Sequence, residues 1–327
     1  EIDEITNQSS IATFENTLEA MENCSDLLER NSALLFNLNS AETSDELQAV
    51  AQEASQLLTE FQNDIRLNNA LFNRIKYIFE NEDRQKLNTE QITLLEKEYK
   101  GFVRNGALLS KSEKEKLREI DSEKAKLGLT FGENVLADSQ AFELHISDES
   151  QLKGLPESAK EMAAEMANSK NKQGWIFTLD YPSYIPFMTY IENRELRKDM
   201  SIAFGKRGFQ ENDHNNTEII LKLVRLRNER AKLLGYESHA AFVLEERMAQ
   251  SEEKVTDFLE DLYEKALPIA TSEWEEMKQF AKSHLQIDTI EKWDTAYISE
   301  KLKQTQLKLD EQELKPYFSL EKVQSGL

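Results

Sequence analysis

One cysteine, five prolines and ten glycines are all that 327 residues contain of those three types. The lone thiol, Cys24, excludes a disulfide within the chain. It sits in Met21-Glu22-Asn23-Cys24, inside a helical pattern, and reads as a small packed hydrophobe rather than a nucleophile. Few glycines and prolines leave few turns, so the regular elements must be long. The abundance of Glu, Lys, Leu, Ala and Gln makes them helices. No run approaches the roughly 18 apolar residues of a membrane span. Cations are also short: 40 Lys and Arg stand against 61 Asp and Glu, a net charge of −21. Such a surface repels phosphate backbones and anionic lipids, which argues against nucleic acid as a partner and keeps a helical protein soluble. The chain opens on Glu1 without a leader pattern, which leaves compartment, cytoplasmic or periplasmic, unassigned.

The motifs of several chemistries are missing too. His145, His214, His239 and His284 are the four histidines, and none begins His-Glu-x-x-His or has another at i, i+4. That spacing puts two imidazoles on one helix face, near enough to share a zinc, with the Glu placed as general base. The stretch Gly101-Phe102-Val103-Arg104-Asn105-Gly106 has the glycine spacing of a phosphate loop, but Ala107-Leu108 stands where Lys-Ser/Thr is needed. No serine elbow occurs. Glu245-Glu246 and Glu275-Glu276 are neighbours on helical patterns, so their carboxylates diverge and read as solvated faces. The Asn-x-Ser/Thr triplets at Asn7, Asn23 and Asn215 are short enough to arise by chance.

What is present is helical periodicity. Leu47, Val50, Ala51, Ala54, Leu57, Leu58 and Phe61 share one face over four turns, after a capping box at Thr43-x-x-Glu46. Ser110-x-x-Glu113 caps a second helix over 111–127 with Leu117, Ile120 and Leu127 inward, and Gly128 is placed to end it. A third runs over 217–234, with Ile219, Ile220, Leu223, Val224, Leu226, Ala231 and Leu234, and stops at Gly235. A fourth, over 252–267, sets Val255, Phe258, Leu259, Leu262 and Ala266 against an acidic outer face. Pro268 either kinks a longer helix reaching Phe280 or breaks it in two. Between 140 and 190 the helical period fails. Phe142-Glu143-Leu144-His145-Ile146 alternates with period two, and Trp175-Ile176-Phe177-Thr178-Leu179 is aromatic and β-branched. Both predict short strands, with a helix over 155–168 between them. The expected fold is therefore mostly α: an elongated multi-helix body with a small β excursion near 140–180. The expected divisions are 1–139, 140–190 and 191–327.

A series of short stretches, in order, resembles one known family. It begins at Thr13-Phe14-Glu15-Asn16-Thr17 and continues through Leu67-Asn68, Leu71-Phe72, Phe102-Val103-Arg104-Asn105-Gly106-Ala107, Phe131-Gly132-Glu133-Asn134 and Gly154-Leu155-Pro156-Glu157. Leu179-Asp180-Tyr181-Pro182-Ser183-Tyr184-Ile185-Pro186-Phe187 and Arg194-Glu195-Leu196-Arg197 follow. The most specific stretches are Leu226-Arg227-Asn228-Glu229-Arg230-Ala231-Lys232-Leu233-Leu234-Gly235-Tyr236, Met248-Ala249, Trp293-Asp294-x-x-Tyr297 and Tyr317-Phe318-Ser319-Leu320-Glu321. In order and spacing the chain is similar to the thimet-oligopeptidase family of zinc peptidases, in its bacterial peptidyl-dipeptidase and oligopeptidase A branch.

The resemblance implies a helical body split by a deep channel that admits short unfolded peptides. Zinc at the channel floor polarises the scissile carbonyl and activates water. The family's zinc-binding helix falls beyond the point matching Leu327. The chain is thus expected to be an N-terminal, non-catalytic part that forms one channel wall, inactive alone, with no catalytic or metal residues and no bound zinc of its own. Its partners would be short peptide substrates and the missing C-terminal catalytic part. The alternative is a non-enzymatic helical scaffold or partner-binding protein. Tyr181, Tyr184, Trp293 and Tyr297 are candidates to line the channel, since Tyr and Trp combine contact area with a polar atom; core packing is the competing role. Arg104 and Arg207, in or near matched stretches, could pair with a peptide carboxylate or with internal acids.

Overall fold

A computed structural model describes residues 2–308 and 314–326. Glu1, residues 309–313 and Leu327 lie outside them. The fold is mostly α, with a single two-stranded sheet among the described residues.

The chain divides into two compact units: Glu1–Glu133 with Thr217–Lys254, and Asn134–Asn216 with Val255–Leu327. The first opens with α1 (Ile2–Thr6), a π-helical turn (Phe14–Glu19) and the short α2 (Ala20–Glu22). Then come α3 (Asp26–Ala41), α4 (Asp45–Arg66), α5 (Asn69–Asn81), α6 (Thr89–Arg104) and the first part of α7 (Lys111–Ala141). Its core is built from Phe14, Leu18, Leu71, Phe72, Ile75, Leu95 and Phe102.

The stretch Thr13–Thr17 owes its composition to this core. The Thr13 hydroxyl accepts from the Asn16 N–H, and the Asn16 side chain accepts from the Thr13 N–H, a reciprocal cap. Phe14 and Thr17 are buried, and Arg74 from α5 donates to Asn16 Oδ1 at 2.8 Å and Thr17 Oγ1 at 3.2 Å.

Two expected helix ends move. Ser44, not Thr43, caps α4, accepting from the Leu47 N–H at 3.2 Å, while the Thr43 hydroxyl turns back to Asn39. α7 does not stop at Gly128. It runs on through Gly132 to Ala141, because Gly tolerates helical φ as well as left-handed φ and a glycine costs only about 1 kcal/mol against the turns on either side. A true glycine stop closes α11 (Thr217–Leu233), as expected. Gly235 has φ +86°, its N–H donates to the Lys232 carbonyl, and the Tyr236 N–H donates to that of Ala231. The unit ends with α12 (His239–Leu244) and the first residues of α13 (Glu252–Leu285).

The second unit holds the β excursion. β1 (Leu144–Ile146) and β2 (Trp175–Phe177) pair antiparallel, Leu144 opposite Phe177 and Ile146 opposite Trp175. Between them α8 (Glu157–Ser169) covers β2, and α9 (Tyr181–Tyr190) and α10 (Arg194–Gly205) follow. Leu152, Leu155, Phe177, Phe187, Ile191 and Met200 make the core, with Phe177 and Phe187 ring centroids 4.6 Å apart. A smaller cluster joins Phe280 and Ala281 of α13 to Tyr297 and Ile298 of α14 (Thr295–Leu307). α13 is one helix through Pro268, which settles the choice left open by the sequence.

One set of expectations is overturned. Phe258, Leu259 and Leu262 do share a helix face, but that face is exposed, and so are Tyr263, Leu267 and Ile269. Val50, Leu57 and Phe61 of α4, and Ile220 and Val224 of α11, are exposed as well. Periodicity shows that side chains share a face; it does not show that anything lies against that face.

Candidate functional site

The six candidate side chains fall into three groups, two of them in the second unit. The first forms around Phe204, near the end of α10. The Tyr184 ring stacks on it at 4.2 Å, Tyr181 meets it edge-on at 6.0 Å, and the Arg207 guanidinium lies 3.6 Å above its centroid. α9 presents both tyrosines because they are three residues apart and point to one side. Asp180 precedes α9 with extended backbone and Pro182 occupies its first turn, where no N–H is needed.

Arg207 is held by donating from Nε to the Phe204 carbonyl at 3.0 Å and from Nη1 to Ser139 Oγ at 3.3 Å. Behind it, Asp138 is buried and accepts from the Gly208 N–H at 2.7 Å and from Asn212 at 2.8 Å. Burial opposes ionisation of Asp138, yet these hydrogen bonds, another from Gln210 and the nearby His214 hold its carboxyl below the ordinary value. The loop that carries Arg207 is therefore fixed rather than free. Burial pushes the Tyr184 phenol up, against a hydrogen bond with Ser201. Tyr181 is 66% exposed, and Ile185, Ile202 and Phe209 are exposed nearby in the sequence. The group offers stacked aromatic faces beside one guanidinium.

The second group is buried. Arg197 is 1% exposed and Asp294 fully enclosed. Arg197 donates to Asp294 Oδ1 at 3.0 Å and to the carbonyls of Ile191, Glu192 and Trp293, and its guanidinium lies 4.1 Å over the Tyr297 ring. Arg194 donates to both oxygens of the same carboxylate, the shortest contact 2.7 Å. Burial works against the Asp294 charge, but these donors and the Glu291 N–H hold its carboxyl below the ordinary value. Burial and the Glu192 carboxylate push the Tyr297 phenol up. Tyr297 is thus a packing surface for Arg197, and Trp293 is half-buried with Lys198 5.7 Å from its ring.

Arg194, Arg197 and Asp294 went unnoticed as a unit in the sequence. The available signal was Arg at i and i+3 in one matched stretch and a lone Asp between aromatics in another. Nothing local says that two stretches about 100 residues apart meet.

The third group lies in the first unit. Arg104 donates to Tyr236 Oη at 3.1 Å and to the Phe242 carbonyl at 2.6 Å, and it ion-pairs with Glu245. It also lies over the Phe242 ring at 4.6 Å. This arginine joins α6 to the 236–246 segment. Glu245 and Glu246 are exposed, as expected of a solvated face, and both reach Lys100.

The histidines are dispersed. His145 Nε2 meets the Gln173 carbonyl at 2.6 Å, His239 stacks near Phe242, and His284 stacks on Phe280. Among the described residues no three His, Cys, Asp or Glu side chains are grouped to hold a metal ion.

Residues 187–327 match the family described as Peptidase family M3. Over all of its length the chain is 31% identical to Oligopeptidase A of Escherichia coli, of which it covers 48%. The chain is thus similar to family M3 peptidases. It is also 32% identical to Dipeptidyl carboxypeptidase of Escherichia coli, across 99% of this chain and 48% of that one. The organellar oligopeptidase A of Arabidopsis thaliana is 34% identical, across 96% of this chain and 41% of that one. The chain spans about half the length of the M3 relatives it matches. The matched segment 187–327 contains Arg194, Arg197 and Asp294, so the buried ion-pair group lies within the stretch that matches that family.

Proposed function

We propose that this chain is the non-catalytic part of a zinc metallopeptidase that hydrolyses short peptides, and that it forms one wall of the substrate channel. One observation carries this reading. The similarity to peptidases extends over the whole chain, while none of its 327 residues begins a His-Glu-x-x-His. The zinc and the residues that activate water then belong to sequence outside this chain, and the contribution made here is steric and binding. The Tyr181, Tyr184, Phe204 and Arg207 group is the proposed peptide-facing surface. The exposed apolar stripe of α13 supports the proposal from another side, because a face of that kind is where further protein packs.

The test is the encoding reading frame together with the protein. A frame that continues past Leu327 into His-Glu-x-x-His, and a longer protein that binds one zinc and cleaves short peptides while residues 1–327 do neither, is the expected result. A stop codon directly after Leu327, or peptide cleavage with stoichiometric zinc by the 327-residue protein, overturns it.

A further inference from the structure

The first unit contains a cavity of about 800 Å³, within the size range of small-ligand sites. Its lining has two characters. Leu28 and Phe36 of α3 and Leu58 and Phe61 of α4 supply an apolar wall. The rest is ionic. Two guanidiniums enter the lining, and each has its own carboxylate. Arg66 donates to Glu98 at 2.5 Å, and Arg230 donates to Asp121 at 2.7 Å and to Asn105 at 2.9 Å. Two carboxylates remain, Glu22 and Glu29. Glu29 accepts from Ser25 Oγ at 2.5 Å, and neither Glu22 nor Glu29 has an ion-pair partner among the described residues. Glu22 is exposed overall, but the partial desolvation of its carboxyl pushes it above its ordinary value, and the neighbouring carboxylates of Glu98 and Glu29 push it further, against the pull of Arg66. The cavity therefore holds surplus negative charge beside an apolar wall, and a cation with an apolar body would satisfy both.

We propose that this cavity binds the amino-terminal end of a short peptide, with its α-ammonium on Glu22 and Glu29 and its first side chains on Leu28, Phe36, Leu58 and Phe61. The proposal rests on the peptidase reading for the ligand class and deepens it. It adds a place where the chain selects free peptide amino termini, apart from the aromatic group around Phe204. The apolar wall favours a peptide over a simple polyamine, which would leave that wall bare. Carboxylate binding of an ammonium is a charge-assisted hydrogen bond, so most of the preference should vanish when the positive charge is removed.

The experiment is calorimetric titration of the 327-residue protein with Leu-Leu-Leu, with its N-acetylated form, and with spermidine. We expect the free tripeptide to bind about tenfold more tightly than the acetylated one, the scale of one hydrogen bond to a charged group. Glu22→Gln combined with Glu29→Gln should erase that difference, and Phe61→Ala should weaken both peptides alike. Glu22 and Glu29 are exposed, so the double variant is expected to fold, which circular dichroism checks. Equal binding of the two peptides, a preference that survives the double variant, or spermidine binding as tightly as the tripeptide overturns the assignment. If no probe binds, the cavity is not a peptide site. Cleavage of short peptides by the longer protein would then still leave the peptidase reading standing, so the two failures are distinguishable.

Discussion

Asp294 shows what a single buried charge can do. It accepts from two arginines and is fully enclosed. Removing one member of a buried pair strands the other, at a cost of about 3–5 kcal/mol. Asp294→Ala should therefore lower the urea midpoint strongly, followed by the fluorescence of neighbouring Trp293. Arg197→Met combined with Asp294→Leu should cost less than the single change, because no buried charge is left behind and Arg194 can turn to solvent. Glu143 is the opposite case, a surface carboxylate clamped by Lys170 and Lys172, the latter at 2.8 Å. Hydrogen bonds from the two ammoniums hold its carboxyl down to about 2. A folded value below the unfolded one stabilises the protein above the ordinary carboxylate range, and that contribution fades as pH falls through about 2. Carboxyl NMR should show Glu143 titrating near that pH, and Lys170→Ala with Lys172→Ala should move it upward. Tyr181, exposed beside Phe204, belongs to a third kind. If the longer protein is the peptidase proposed, Tyr181→Ala should raise KM about three- to tenfold with kcat nearly unchanged, since a side chain remote from the chemistry contributes uniform binding.

At the scale of elements, α13 and the turn before α8 are the informative cases. Pro268 lacks the N–H that would bond the Glu264 carbonyl, and a proline inside a helix costs up to about 3 kcal/mol. Pro268 stands in an exposed stretch, so Pro268→Ala should raise helicity and slow proteolytic nicking near that position, measured by circular dichroism and limited trypsin digestion. Gly154 has φ +93°, and a Cβ there would meet the Tyr190 carbonyl oxygen at 2.3 Å. Gly154→Ala should thus destabilise by more than about 1 kcal/mol in thermal melting, because strain and collision act together. Helix existence was legible in the sequence for the strongly periodic stretches, and so were the caps at Ser110 and Gly235 and the strand pair around Leu144 and Phe177. The stop at Gly128 was not, since a glycine fits both a helix and its end. Thr43 and Ser44 are both competent caps one residue apart, so composition could not choose between them.

For the whole molecule, the exposed face of α13 sets an expectation of its own. Phe258, Leu262 and Ile269 lie along one side of the helix and are uncovered. The protein should bind a hydrophobic dye, and replacing these three with Ser should remove most of the signal without loss of helicity. Unchanged dye binding would mean that another surface is responsible. The candidate site was legible only in part. The tyrosines at 181 and 184 and the arginine at 207 could be named, but Phe204, the ring that gathers them, could not. Tyr297 and Arg104, named for their chemistry, both make internal contacts, Tyr297 with Arg197 and Arg104 with Tyr236, Phe242 and Glu245.

By itself the sequence determined the helical class, the position of the β excursion, the kinship with peptidases and the lack of a zinc motif, because these depend on local spacing and residue type. Only the tertiary structure decided which apolar faces are covered, which arginines are already paired, and that Arg194 and Arg197 meet Asp294. Those outcomes depend on what lies opposite a side chain. That neighbour comes from a distant part of the chain, which no local pattern specifies.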